Sequence, residues 1–172
     1  MTQRSPRSPT GNFIYNKLRG IVRSLGNDVQ PNGVEMSLNA TEVEKLIRAG
    51  LPMAEDMDLR IEEAGERFAR VRAPFSSRMI RPGGTISGPV QMALADAAMY
   101  AAILATLGRA EMAVTSNLNI NFLNKPQPAD LVAEAVVLKL GRRLAFCEVR
   151  LLSGSDDVLV AHVTGCYALP AK

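Results

Sequence analysis

Asp96 is the only acidic residue in the alanine-rich stretch from Met92 to Leu107. On a helix its neighbours three and four positions away are Met92, Ala93, Met99 and Tyr100, so no cation on the same helix pairs with it. Asp is a poorer interior helix former than Ala by roughly half a kcal/mol, and desolvating an ionised carboxylate without compensation costs several kcal/mol or more. Two readings are open. One is a catalytic carboxylate, working as general base or nucleophile; the other is an Asp on the solvated edge of the helix, or paired with an arginine from elsewhere in the fold.

The loop into this helix, Arg81-Pro-Gly-Gly-Thr-Ile-Ser-Gly88, offers a second device. Gly88 lets its backbone N–H approach a ligand closely. With the free N–H groups of Val90 and Gln91 and the positive end of the helix, it makes a place for developing negative charge, which is the physics of an oxyanion hole. An ordinary glycine N-cap fits the same residues. Gly88 and Asp96 are eight residues apart, about 12 Å along a helix, too far for both to serve one acyl carbon. A two-fold dimer with antiparallel helices brings Gly88 of one chain towards Asp96 of the other and makes two identical sites.

Other machineries are excluded. The chain has no Gly-x-Ser-x-Gly elbow, no His-Glu-x-x-His pair and no Gly-x-x-x-x-Gly-Lys loop, and its glycines complete no dinucleotide fingerprint. Its one histidine, His162, lies inside a strand-like run without a nearby partner and reads as structural. Cys147 and Cys166 show no ligand or redox spacing and read as buried thiols of a reducing compartment. The net charge of +3 is concentrated in residues 1–34, where Arg4, Arg7, Lys17, Arg19 and Arg23 face only Asp28. The remaining chain is therefore no nucleic-acid surface.

At 172 residues, with 47% apolar and 22% charged residues, the chain suits one globular domain. Charge, Gly or Pro interrupts every apolar run before the length of about 20 residues that a membrane helix needs, so a soluble, cytoplasmic protein is expected. The Gln30-Pro-Asn-Gly33 turn separates a basic N-terminal extension, residues 1–35, from a single domain over 36–172. The extension has apolar residues at roughly helical spacing; packing on its own domain or on a partner subunit is preferred over a transit or membrane-anchor role. In the domain, Asn39 caps a helix that runs to about Ala49. Strand-like runs cover 58–63 and 66–73, joined at Ala64-Gly65, then 114–122, 131–140, 143–152 and 158–169. The run 114–122 alternates strictly, with Asn117, Asn119 and Asn121 on one side and Leu118, Ile120 and Phe122 on the other. The expected fold is α+β: a six-stranded antiparallel sheet curled around one long helix whose alanines admit close approach.

The run Gly83 to Ala98, then Val114 to Phe122, Pro128-Ala-Asp130, Gly141-Arg142 and Leu159 to Tyr167 together resemble the hot-dog-fold acyl-CoA thioesterases of the PaaI-like and 4-hydroxybenzoyl-CoA thioesterase type, over about residues 36–170. The resemblance implies hydrolysis of an aryl- or medium-chain acyl-CoA in a site shared between two subunits, commonly in a dimer of dimers. Coenzyme A enters as part of the substrate and no separate cofactor or metal is implied. Asp96 falls at the family's Asp or Glu, Gly88 at the glycine whose N–H polarises the thioester carbonyl, and Thr115 at the Ser/Thr that helps hold the lytic water. The family's Asn is replaced by Arg81, and its His-Gly-Gly by Ser87-Gly88-Pro89. Arg142 and Arg143 at a strand turn, with Lys125 or Arg81, are candidates for the CoA phosphates. Met92, Met99, Tyr100, Phe75 and Phe122 are expected to shape the acyl pocket. The alternatives are a catalytically impaired acyl-CoA-binding protein of this fold, an enoyl-CoA hydratase or dehydratase, or an interaction protein.

Overall fold

The computed structural model describes residues 37–108 and 110–170; the basic extension lies outside them. Helix α1 (Ala40–Gly50) starts where expected. The Asn39 side chain accepts from the Glu42 N–H at 3.1 Å, and Glu42 accepts from the Asn39 N–H at 2.9 Å, a reciprocal capping box. α1 buries Val43 and Ile47 against strand β1 (Arg60–Gly65) and the long helix. A short helix not anticipated from the sequence, α2 (Pro52–Asp56), follows with Pro52 at its first position, where the missing N–H is harmless.

The hairpin of β1 and β2 (Phe68–Ala73) turns two residues later than expected: Ala64 and Gly65 pair with Ala69 and Phe68, and the turn falls on Glu66-Arg67. The reason is tertiary. Arg67 takes φ 60°, its N–H donates to Thr106 Oγ1 at 2.9 Å, and its carbonyl accepts from the Val137 N–H at 2.9 Å. These anchors override the local glycine preference. A small hairpin, β3 (Ile80–Arg81) and β4 (Thr85–Ile86), stands inside the stretch read as plain loop. Gly83 and Gly84 turn it at φ 97° and 71°, a region open to glycine at no steric cost.

Helix α3 (Gly88–Leu107) is the centre of the domain. By length and composition it could cross a membrane, which corrects the expectation that no segment reaches that length. Here most of it is covered by protein, with Leu94, Ala95, Ala98, Met99, Ala101, Ala102 and Ile103 all fully buried. Its alanines present no long side chains, so β2, β6 (Leu131–Leu140) and β7 (Leu144–Ser153) approach its backbone closely. The six-stranded antiparallel sheet runs β1-β2-β6-β7-β8-β5, with β5 (Val114–Phe122) and β8 (Val158–Ala168) close to the expected bounds. It is the expected hot-dog arrangement, a sheet curled around one helix. Charges line its outer face, where Arg70 and Arg72 both reach Glu62, at 3.0 and 2.5 Å, and Arg70 also meets Glu134. Asp130, part of the family-like pattern, accepts from the Phe75 N–H at 2.9 Å and from Arg72 at 3.3 Å, a structural duty.

Met99, expected near the acyl pocket, belongs to the core instead and packs on Gly165 of β8. A Cβ at Gly165 would stand 2.5 Å from the Met99 sulfur and 3.1 Å from the Asn117 carbonyl oxygen. Gly165→Ala is therefore expected to destabilise the domain by about 1–3 kcal/mol through overpacking, read as a lower urea midpoint with an unchanged slope.

Candidate active site

Asp96 is half-buried on the face of α3 that meets the start of β5 and the end of β8. Its Oδ1 accepts two hydroxyl hydrogen bonds, from Thr115 Oγ1 at 2.7 Å and from Tyr167 Oη at 2.8 Å. Tyr167 Oη also lies 3.1 Å from the Asp96 carbonyl oxygen. Among the described residues the carboxylate's partners are thus two neutral donors, with no arginine. Thr115 and Tyr167 are directly opposite each other in the antiparallel β5–β8 pair, so their side chains leave the same face of the sheet and converge on one oxygen.

A β-bulge makes this possible. Strict alternation groups Thr115 with Asn117, Asn119 and Asn121, on the face turned away from α3. The register instead shifts between Thr115 and Asn117: Thr115 pairs with Tyr167 and Asn117 with Cys166, leaving Ser116 as the extra residue. Ser116 Oγ donates to the Cys166 carbonyl at 3.1 Å. One inserted residue flips the face on which its neighbour lies, so Thr115 points inward.

Sequence reasoning missed Tyr167. It is 71 residues from Asp96 and shares no motif with it. The one available signal is that Val163, Gly165 and Tyr167 occupy one face of β8 by alternation, the face that turns to the helix. Its ring stacks on Tyr100, centroids 6.1 Å apart and 11° from parallel, and Tyr100 Oη donates to the Glu111 carbonyl at 3.0 Å.

Gly88 opens the other half of the arrangement. It is the first residue of α3, with Ser87 as N-cap and Pro89 second in the helix. As a first-turn residue its N–H has no carbonyl a turn back within the helix. The Gln91 N–H, expected to be free, is taken by the Ser87 carbonyl at 3.3 Å, which leaves Gly88 and Val90. A cleft of about 390 Å³ beside Gly88 is lined by Arg81, Ile86, Gln91, Phe122, Leu123 and Lys125, among others. A Cβ at Gly88 would stand 3.1 Å from the Phe122 ring, close enough that the ring would have to shift by a few tenths of an ångström. Gln91 is 3% exposed, and its Oε1 has no hydrogen-bond partner among the described residues. A buried carboxamide oxygen left unpaired is uncommon and marks the cleft wall as a place for a water or ligand donor.

The structure therefore brings together Asp96, Thr115 and Tyr167 at one place, and Gly88, Arg81 and Lys125 at another. Ser87 spends its N–H on the Met79 carbonyl at 2.9 Å and caps the helix without its side chain. Arg142 and Arg143 are exposed on the β6–β7 turn, at the sheet end where Ala145 and Tyr167 pair, and they do not line the Gly88 cleft. His162 Nε2 lies 2.9 Å from Glu148 Oε1 on the outer face of the sheet, opposite to Tyr167 by alternation. Cys147 is buried and its thiol is pushed up to about 12 by burial, so it is no nucleophile.

Burial first, then the negative charge of Asp96, raises the Tyr167 phenol far above its ordinary 10.0, so it remains a hydrogen donor across the neutral range. A group whose folded-state value is raised lends stability that is complete below its unfolded value and is lost as pH climbs past it. The melting temperature of the wild type is therefore expected to fall between about pH 9 and about pH 11, and Tyr167→Phe to show a shallower fall over the same window.

Comparison with known proteins agrees with this architecture. Residues 83–160 match the Thioesterase superfamily. A crystal structure from Silicibacter sp. TM1040, assigned as a thioesterase, is 33% identical and superimposes with a TM-score of 0.70, covering 83% of this chain and 99% of its own. The phenylacetic acid degradation protein PaaI of Thermus thermophilus, solved as a point variant, is 27% identical with a TM-score of 0.61, covering 68% of this chain and 97% of its own. A Saccharolobus solfataricus protein assigned as an esterase is 26% identical over 133 residues, 77% of this chain and 86% of its own. The chain belongs to the thioesterase superfamily of hot-dog proteins and is a thioester hydrolase.

Proposed function

We propose that the protein hydrolyses an aryl- or medium-chain acyl-CoA in a site built by two subunits, with Asp96 from one and the Gly88 N–H from the other. One observation carries this reading: the two half-sites lie at opposite ends of the same edge strand. Thr115, bonded to Asp96, is near the start of β5, and Phe122, against Gly88, is its last residue. Seven strand steps separate them by about 23 Å. Among the described residues β5 is an edge of the sheet, with no strand on its outer side. Two such edges paired antiparallel about a two-fold axis set the start of each against the end of the other, and both sites are completed at once.

In that arrangement the thioester carbonyl oxygen lies at the Gly88 N–H and the N-terminus of α3, where charge develops as the carbonyl is attacked. Asp96 either takes a proton from the attacking water or attacks the carbonyl itself. A C–O bond forms and the C–S bond breaks; the thiolate of coenzyme A leaves and takes up the proton that water supplies, and where Asp96 is the nucleophile a water then cleaves the acyl-aspartyl anhydride to release the acid and restore the carboxylate. Thr115 directs its proton at Asp96, so it meets a water only through its oxygen lone pairs. The cleft volume of about 390 Å³ suits an aryl or medium-chain acyl group, with Ile86, Phe122 and Leu123 for apolar contact. Arg81 and Lys125 at the same cleft suit an anion, and Arg142 and Arg143 of the facing subunit join them across the axis. A hydratase of this fold has no support from His162, which faces away from Asp96.

Asp96→Asn is expected to lower release of free CoA thiol from an acyl-CoA panel by about 100-fold or more; equal turnover removes Asp96 from the chemistry, and tight binding without turnover by the wild type identifies a binding protein. Co-expressing Asp96→Asn with Gly88→Ala tests the sharing. Half of randomly assorted dimers are mixed and each mixed dimer has one intact site, so about a quarter of wild-type activity returns if the site is shared, and none returns if each chain works alone.

A further inference from the structure

We propose that Tyr167 is a positioning residue that, together with Thr115, selects which oxygen of Asp96 does the chemistry. This rests on the hydrolytic reading above. Both hydroxyls lie within hydrogen-bond reach of Oδ1, at 2.7 and 2.8 Å, with the Tyr167 hydroxyl also 3.1 Å from the Asp96 carbonyl oxygen, and among the described residues no group donates to Oδ2. An aspartate carboxyl turns about its last torsion in a broad, two-fold well, so its oxygens are equivalent until something distinguishes them. Two donors on one oxygen remove that equivalence by fixing the plane of the carboxyl: a quarter-turn breaks both bonds, and a half-turn only exchanges which oxygen is held and which is left open. Oδ2 is then the oxygen left with its lone pairs for a water or a carbonyl carbon.

The donors are themselves held. Thr115 and Tyr167 are paired across β5 and β8. The Tyr167 ring is 3% exposed and stacked on Tyr100, which is tied to the Glu111 carbonyl in the segment leading into β5. Fixing the carboxyl before substrate arrives is the form of preorganisation that acts on the rate of the chemical step and leaves substrate affinity largely alone.

The test uses the full-length protein. Tyr167→Phe keeps the buried ring and the stack and removes only the hydroxyl. With the best substrate of the panel, kcat is expected to fall about tenfold or more while KM stays within about twofold. Thr115→Val does the same, and Thr115→Ser restores most of the loss because it returns a hydroxyl. An unchanged kcat in Tyr167→Phe, or a raised KM at constant kcat, overturns the positioning role. A second readout is independent of turnover: with carboxyl-labelled aspartate, the 13C resonance that vanishes in Asp96→Asn moves in Tyr167→Phe and in Thr115→Val. A resonance that stays in place in Tyr167→Phe overturns the inference whatever the activity. If wild type and Asp96→Asn turn over equally, the catalytic reading of Asp96 fails, and with it the proposal that its oxygens are sorted for chemistry, even where the resonance moves.

Discussion

A carboxylate on a helix that is buried along most of its length has to find its donors outside that helix, and the geometry around Asp96 follows from this requirement. The sides of α3 carry Ala, Leu, Ile and Met packed under a sheet, with no lysine or arginine between Gly88 and Leu107. Two hydroxyls from neighbouring strands take the place of a cation. Neutral donors hold the carboxyl in place while leaving its negative charge uncancelled, which suits a group meant to react. An arginine in their place would give a stable ion pair and a poorer base.

The same helix supplies both devices of the proposed chemistry and keeps them apart. Its first residue offers an N–H with no partner among the described residues, beside a cleft walled by Phe122 and Leu123 as well as Arg81 and Lys125, and its third turn offers the acid. The strand running alongside has one device near each end, and no strand pairs with its outer edge among the described residues. A hydrogen-bonding edge that is long and, past the bulge at Ser116, rich in asparagine side chains calls for a partner strand. Pairing that edge with itself answers the backbone requirement and the catalytic one with a single contact.

Much of this was legible from residue order. The lone acid among alanines, the glycine ahead of the helix and the apolar periodicities of β6, β7 and β8 each reflect a local rule, and the elements lie within a residue or two of their expected bounds. Local rules failed where tertiary contacts decided. The first hairpin turns at Arg67 because Thr106 and Val137 hold that backbone, a relation between residues 39 and 70 positions apart. The inward direction of Thr115 depends on one extra residue at Ser116, and a bulge in a strand of polar residues has no compositional mark. Tyr167 became visible only when β8 was paired with β5, because a hydroxyl is read as a donor to a particular carboxylate through space and not along the chain.

The apolar side chains left in water also have a thermodynamic consequence. Val114, Phe122 and Leu123 are 60%, 52% and 51% exposed, and all three belong to β5 or the residue after it. Covering them, whether by a second chain or by an acyl group lying in the cleft, releases ordered water from the two ends of this strip. Association and ligand uptake should then share a signature in calorimetry, a heat-capacity decrease that grows with the area removed from solvent. The size of that decrease on dilution, compared with its size on titrating a ligand, divides the strip between its two occupants.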